Sequence, residues 1–228
     1  MVIPLVRETE WAFRLNSIPA FKPGGASMLV VVPHPDDETL AIGGLIASQR
    51  AKGVDVTIVA VTDGENAYVE NKGLAELRRE EQTRALARLG VPQHKILRLG
   101  LIDSDVAAQV NELAVRLRPL ITPATQVLAP WVGDFHPDHV ACARATKMIV
   151  QDVGATLVSY FFWTWHRGTV ATLNGLKLQK FALSGETSIA KGEALACHAS
   201  QLKHGPEPEI LPDHLLWPAR MPFEVFAL

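Results

Sequence analysis

The chain has 228 residues, of which 48% are hydrophobic and 20% are charged, a balance typical of a folded globular protein and not of a disordered one. Its formal net charge of −2 provides no broad basic surface, which argues against nucleic acid as a partner. No apolar run reaches about 18 residues, so the sequence predicts no membrane span.

Strands and helices are predicted to alternate along the chain. A lead-in without a clear pattern covers 1–27, and a Pro-rich tail covers 205–228. Apolar or alternating runs predict strands at 28–32, 54–61, 95–100, 125–130, 155–163, 176–183 and 223–227. Periodic segments between them predict helices at 39–52, 73–89, 105–118, 138–152 and 186–202. This alternation is typical of βαβ units and predicts one α/β domain over 1–228 with a mostly parallel sheet.

The two cysteines give no sign of covalent cross-linking. Cys142 and Cys197 lie far apart and form no C-x-x-C pair, so we expect neither a disulfide framework nor a thiolate metal site. The first residues also lack the charge-then-apolar order of a signal peptide. Together these features predict a cytoplasmic protein.

Two polar clusters directly follow predicted strands. "PHPDDE" comes after the strand at 28–32, and "WVGDFHPDH" comes after the strand at 125–130. In parallel α/β sheets, ligands bind outside the carboxyl ends of the strands. Asp-rich turns and helix caps are the structural alternative for each cluster alone. Their joint position at strand ends favours a shared site.

The clusters contain a candidate metal ligand set in His34, Asp37 and His139. Two neutral imidazoles and one carboxylate are typical of catalytic zinc, which leaves a fourth position for water. The same set also occurs in non-haem iron oxygenases, so iron remains an alternative. If Asp37 is a ligand, Asp36 is free to act as general base and later as general acid.

Other residues of the second cluster have predicted roles around these ligands. We expect His136 to donate a hydrogen bond to the oxyanion of a tetrahedral intermediate, and to be protonated for this purpose. Asp134 and Asp138 are predicted to orient the neighbouring imidazoles.

Five blocks carry a resemblance to a known family. They are "VPHPDDETLAIGG", "VTDGE", "LRREEQTRALARLGV", "GDFHPDH" and "KGEALACHASQ". In their order and spacing, over 28–201, the chain resembles the LmbE-like or PIG-L family of zinc-dependent N-acetylglucosaminyl deacetylases. The resemblance implies a Rossmann-like three-layer sandwich and a hydrolase acting on a linear amide. It also implies a small N-acetylated sugar as substrate.

The resemblance further implies roles for individual residues. Zinc is held by His34, Asp37 and His139, with Asp36 as acid and base and His136 at the oxyanion. Arg78 is similar to the family's substrate-binding arginine, with Arg79 as an adjacent rival.

Three alternatives to this function remain open from the sequence. One is a metal-dependent amidase or esterase acting on a non-sugar acyl compound, and another is the iron enzyme. The third is a non-catalytic Rossmann-type binding module, although no G-x-G-x-x-G follows the first strand.

Two further groups of residues have open roles. Trp163, Trp165 and His166 either line a sugar pocket or pack in the core. Lys191, His198 and Gln201 either approach the site or pack a helix. The oligomeric state is also open, and a homo-oligomer is compatible with the long terminal segments.

Overall fold

The fold is described from a computed structural model that covers residues 2–68, 72–202 and 209–228. Residues 205–208 of the predicted Pro-rich tail and Met1 of the predicted lead-in lie outside this range. Within it, no helix is long and apolar enough to cross a membrane.

A seven-stranded sheet forms the centre of the described chain. Its strands are β1 (Ser27–Val32), β2 (Asp55–Ala60), β3 (Ile96–Arg98), β4 (Thr125–Pro130), β5 (Thr156–Tyr160), β6 (Leu178–Ala182) and β7 (Phe223–Ala227). Their order is β3-β2-β1-β4-β5-β7-β6. The first five strands run parallel, whereas β7 is antiparallel to both β5 and β6.

Eight helices accompany the sheet in the described ranges. They are α1 (Glu8–Leu15), α2 (Asp37–Ala51), α3 (Leu74–Arg88), α4 (Val110–Leu117), α5 (Pro137–Val153), α6 (Thr164–Arg167), α7 (Gly185–Leu195) and α8 (Ala199–Leu202). Helices α2, α3 and α7 cover one face of the sheet, and α4 and α5 cover the other.

Strand β1 illustrates why the sheet needs helices on both faces. Its alternate residues Val30 and Val32 belong to the core beneath α2 and α3, whereas Leu29 and Val31 belong to the core beneath α4 and α5. Successive side chains of a strand point to opposite faces, so an unbroken apolar run requires cover on both sides. The predicted three-layer α/β sandwich with a mostly parallel sheet is confirmed.

Three local predictions differ from the structure. The lead-in contains α1, whose Trp11 and Leu15 are buried, although eight residues are too few to produce a clear periodic pattern. The predicted strand at 155–163 ends at Tyr160 because Asp134 accepts the backbone N–H groups of Trp163 and Thr164, where α6 begins.

The third difference is a break in the predicted helix at 186–202. The structure divides it into α7 and α8. The carboxylate of Glu81 on α3 accepts hydrogen bonds from both the backbone N–H and the hydroxyl of Ser200, at 2.8 and 2.6 Å. These bonds cap the start of α8 separately from α7.

Helix α2, which begins within the first polar cluster, is kinked. Ile42 has non-helical backbone angles (φ −140°, ψ 17°). The buried carboxylate of Glu224 on β7 accepts the backbone N–H groups of Gly44 and Leu45, both at 2.8 Å. The ammonium of Lys191 on α7 lies 2.7 Å from the same carboxylate. Glu224 therefore acts as an internal cap for the second part of α2.

Candidate metal centre

The two polar clusters meet because β1 and β4 are parallel neighbours. The turn after β1 carries His34 and leads into α2 through Asp36 and Asp37. The loop after β4 leads into α5, which carries His139 in its first turn. Carboxyl ends of parallel strands lie at the same edge of a sheet, which brings residues a hundred positions apart into one cluster.

The Asp37 carboxylate lies between two imidazoles. Its Oδ2 atom is 3.2 Å from His34 Nδ1 and 3.2 Å from His139 Nε2. Bonds of about 2.0–2.2 Å to zinc place the ligand atoms of a tetrahedral site roughly 3.3–3.5 Å apart, close to these separations. His139 Nε2 is buried and faces the Asp37 carboxylate without a well-aligned hydrogen bond. The three side chains fit a divalent cation.

His136 is also close to this position. Ring nitrogens of His34, His136 and His139 lie within 4.8 Å of one another, close enough for a shared metal ion. However, His136 Nδ1 already accepts the backbone N–H of Asp138 at 3.3 Å. This bond caps α5 and leaves Nε2 of His136 as the nitrogen available to a bound molecule.

Carboxylates hold the outer nitrogens of two of these rings. Asp134 Oδ2 lies 2.8 Å from His139 Nδ1. Asp138 Oδ2 lies 3.2 Å from His34 Nε2, so its side chain contacts His34 and not the imidazoles of its own helix. Carboxylates in this arrangement fix the tautomer and ring orientation of histidine ligands.

Asp103 is a member of the cluster that the sequence patterns above did not identify. Its Oδ1 atom lies 3.3 Å from His34 Nε2, beside Asp138. The residue follows β3, in the segment "LIDSD". The rule that identified the other clusters applies to it too, since this segment also follows a parallel strand.

The charges of the cluster favour a cation. Burial alone lowers the pKa of His139, but the charge of Asp37 and the bond to Asp134 outweigh it and raise the pKa to about 9. Burial likewise lowers the pKa of His34, but hydrogen bonds to Asp103, Asp138 and Asp37 raise it well above its usual value. Burial raises the pKa of Asp37, and the charge of His139 more than reverses this. The carboxylates therefore stabilise a positive charge at this position.

Asp36 has a different environment from Asp37. Burial and the charge of Asp37 raise the pKa of Asp36 to about 7, although the charge of Arg78 opposes this. Its Oδ2 atom lies 3.6 Å from the Arg78 guanidinium. A carboxyl group with a pKa near neutrality can both accept and release a proton at physiological pH.

The surroundings of His136 disfavour the protonated form that was predicted for it from the sequence. Burial and the positive charges of His34 and His139 lower its pKa to about 4. With Nδ1 accepting the Asp138 N–H, the ring proton is on Nε2. A neutral imidazole in this tautomer still donates a hydrogen bond.

Arg78, and not Arg79, borders the site. The Arg78 side chain is 3% exposed, and its Nη1 donates to the carbonyl of Gly64 at 2.8 Å. Arg79 instead forms surface ion pairs with Glu76 and Asp63. The position of Arg79 therefore gives no support to Arg79 as the substrate-binding arginine.

A cavity of about 170 Å³ opens over the cluster. Its walls include Asp36, Arg78, His136, Phe162, Trp163 and Leu211. The Trp163 ring stacks on His136 with the ring centroids 5.9 Å apart. Trp165 and His166 are buried and do not line this cavity, and Trp165 packs edge-on against Trp11. Of the three aromatic candidates, Trp163 alone borders it.

Lys191, His198 and Gln201 differ in whether they contact the site. Lys191 pairs with Glu224 beneath α2, and His198 Nε2 lies 3.2 Å from the hydroxyl of Thr39. Gln201 donates to the carbonyl of Pro35, inside the turn of the first cluster, at 3.0 Å. Of the three, Gln201 touches the site turn.

The chain is similar to curated proteins that act on an acetylated glucosamine. A protein of Mycolicibacterium gilvum, named 1D-myo-inositol 2-acetamido-2-deoxy-alpha-D-glucopyranoside deacetylase, is 32% identical over 166 residues, covering 60% of this chain and 58% of that protein. A Corynebacterium glutamicum (strain R) protein of the same name is 27% identical, covering 78% of this chain and 76% of that protein. The chain spans 54–59% of the length of four such relatives from Mycolicibacterium and Mycobacterium.

Solved structures share the fold. The conserved protein TT1542 from Thermus thermophilus is 27% identical with a TM-score of 0.60, over 76% of this chain and 78% of that chain. The N,N'-diacetylchitobiose deacetylase from Pyrococcus horikoshii is 23% identical with a TM-score of 0.61, over 92% and 82% of the two chains, and supports the fold alone.

The family assignment follows from the conserved-domain match. The family model described as PIG-L, GlcNAc-PI de-N-acetylase, matches residues 29–150, which is more than half of the chain and includes both polar clusters. The chain belongs to the PIG-L family.

Proposed function

We propose that the protein is a zinc-dependent hydrolase that removes the N-acetyl group from an N-acetylglucosamine-type amino sugar or its conjugate. The observation that carries this proposal is the donor set of His34, Asp37 and His139 beside the buried, unligated carboxyl group of Asp36. The names of the relatives support the substrate class.

His34, Asp37 and His139 are the proposed metal ligands. Two imidazoles and one carboxylate form a common ligand set of catalytic zinc. When bound, zinc lowers the pKa of a coordinated water from about 15.7 to near 7 and polarises the acetyl carbonyl. Asp134 and Asp138 orient the two histidines, so that the nitrogens facing the metal are unprotonated.

Asp36 is the proposed general base and general acid. Its carboxylate accepts a proton from the attacking water and then delivers it to the sugar nitrogen as the C–N bond breaks. Acetate and the free amine are the products. The raised pKa of about 7 suits both steps, because the group exchanges protons readily near neutral pH.

Other cavity residues are proposed to bind the substrate. His136 Nε2–H donates to the oxyanion of the tetrahedral intermediate, and the Trp163 side chain forms part of the cavity wall that a sugar would contact. Arg78 remains the proposed substrate-binding arginine, because its guanidinium borders the cavity. The proposed location is the cytoplasm.

Acetate release across a panel of N-acetylated compounds tests the proposed function. We expect release from N-acetylglucosamine conjugates, including an inositol conjugate, loss of release in a chelator, and recovery with added zinc. N-acetylated amino acids and acetyl esters serve as non-sugar controls. Release from these controls alone would favour the amidase or esterase alternative, and iron- and oxygen-dependent turnover would favour the oxygenase.

Replacing His136 by alanine should slow acetate release by about a hundred- to a thousand-fold, the usual effect of removing one oxyanion donor. Because His136 is not a proposed ligand, we expect zinc content to stay at the wild-type level. His136→Gln, which keeps an N–H donor, should be less impaired. A loss of zinc that parallels the loss of rate would instead identify His136 as a ligand.

A further inference from the structure

We infer that Gln201 is a positioning residue for Asp36. Its side-chain amide holds the peptide group immediately before Asp36, and through it the direction of the Asp36 carboxylate. The catalytic consequence of this inference rests on the proposed function. The hydrogen bonds that suggest it do not depend on that function.

The carbonyl oxygen of Pro35 is the contact point. It accepts a hydrogen bond from Gln201 Nε2 at 3.0 Å and a second from Arg78 Nη2 at 3.4 Å. Arg78 Nη2 also donates to Gln201 Oε1 at 3.3 Å, which fixes the orientation of the amide. Gln201 is fully buried, and Arg78 nearly so. The two side chains and the carbonyl form a closed, buried set of hydrogen bonds.

Asp36 has an unfavourable backbone conformation. Its angles are φ 155° and ψ −28°, a positive φ at a residue that is not glycine. Such conformations persist only where the surrounding structure fixes the backbone on both sides, and they concentrate at functional sites. The peptide group after Asp36 is fixed by α2, because the Asp36 carbonyl accepts the N–H of Leu40 at 2.9 Å.

Gln201 and Arg78 fix the peptide group before Asp36. The Pro35 carbonyl and the Asp36 nitrogen belong to one planar unit, so holding the oxygen also sets the rotation about the next bond. With both flanking peptide groups held, the chain cannot relax to ordinary strand or helix angles. Relaxation would turn the Asp36 carboxylate to a new direction.

This arrangement explains how consecutive aspartates have separate partners. Asp37 lies between His34 and His139, whereas Asp36 faces Arg78 and the cavity. None of the proposed ligands is held by Gln201, so loss of its amide should displace Asp36 and leave the metal site intact. A loss of rate without a loss of metal would therefore distinguish positioning of Asp36 from general support of the fold.

The variant Gln201→Met tests the inference in the full-length protein. Methionine has a similar length but cannot hold the Pro35 carbonyl. A displacement of about 1 Å at a reacting group costs on the order of a hundred-fold in rate, so we expect kcat to fall roughly ten- to a hundred-fold. We expect zinc content to be unchanged, since Gln201 contacts none of the proposed ligands. We expect kcat to fall by a larger factor than KM rises, because Arg78 loses its bond to Gln201 but keeps its bond to the Gly64 carbonyl. The cobalt-substituted variant should keep the wild-type visible absorption spectrum.

Two further variants complete the experiment. Gln201→Glu keeps an acceptor for Arg78 but loses the donor to Pro35, so it should show the same kcat defect and serves if the methionine variant does not fold. Ser200→Ala is the matched control on the same short helix, where loss of the bond to Glu81 should lower Tm without changing kcat.

Several results would overturn the inference. They are a wild-type kcat in folded Gln201 variants, or a kcat loss that parallels a loss of zinc or an altered cobalt spectrum. A crystal structure of Gln201→Met supplies a test independent of activity: Asp36 should leave its positive φ, and an unchanged φ would refute the role of Gln201. If the wild-type protein releases no acetate, the proposed function fails while this structural test still decides the inference.

Discussion

Asp36→Asn is expected to retain its metal and lose nearly all acetate release. Asparagine preserves the size of the side chain but cannot accept the proton of the attacking water. General acid–base catalysis typically contributes a factor of about 10²–10⁴, and Asp36 is proposed to act in both steps. The ligands His34, Asp37 and His139 are untouched, so zinc content should equal that of the wild type. Steady-state kinetics and metal analysis on the same preparation measure both quantities.

The control for this variant is Asp55→Asn. It removes an exposed carboxylate that pairs with Lys95 at the start of β2, whereas the cavity lies at the carboxyl ends of the strands. It should release acetate at the wild-type rate. Full activity in Asp36→Asn would show that another group moves the proton. Loss of zinc in that variant would mean that Asp36 contributes to metal binding.

Glu224→Gln should cause the largest loss of stability that we predict. The Glu224 carboxylate is buried, caps the kinked helix α2 and neutralises the buried Lys191. The amide removes the charge and leaves Lys191 buried without a counter-ion. Breaking a buried ion pair by changing one partner typically costs about 3–5 kcal/mol. Urea unfolding followed by far-UV circular dichroism measures this free energy.

The double variant Glu224→Gln, Lys191→Met provides the control. It removes both charges, so no uncompensated ion remains in the core, and part of the lost stability should return. The difference between single and double variants isolates the charge effect from the loss of the helix cap. An unfolding midpoint of Glu224→Gln equal to that of the wild type would contradict the assigned role of this pair.

The sheet and the main site cluster could be predicted from local patterns. Apolar runs bounded by turns predicted the strands, and the parallel arrangement placed the polar clusters after β1 and β4 at one edge. His34, Asp37 and His139 therefore converge as expected. Prediction of the sheet and of this cluster depends on short-range sequence patterns and on the rule that ligands bind at the carboxyl ends of parallel strands.

The remaining features depend on contacts between distant segments. Glu224 caps α2 across 180 residues, and Gln201 reaches Pro35 across 166 residues. Glu224 has no distinctive local pattern, because a buried acid resembles a surface one in sequence. Gln201 lies in the block "KGEALACHASQ", but the block does not indicate which segment its amide contacts. The early end of β5 could not be predicted for the same reason, because Asp134 caps α6 through a tertiary contact.

The position of β7 determines how far the chain can be shortened. This strand comes last among the described elements, yet it lies between β5 and β6 within the sheet. Deleting residues 223–227 would expose one edge on each of two strands, and unpaired edges promote aggregation. The same deletion would remove Glu224 from beneath α2. A truncation that includes β7 would therefore disturb both the sheet and the kinked helix α2.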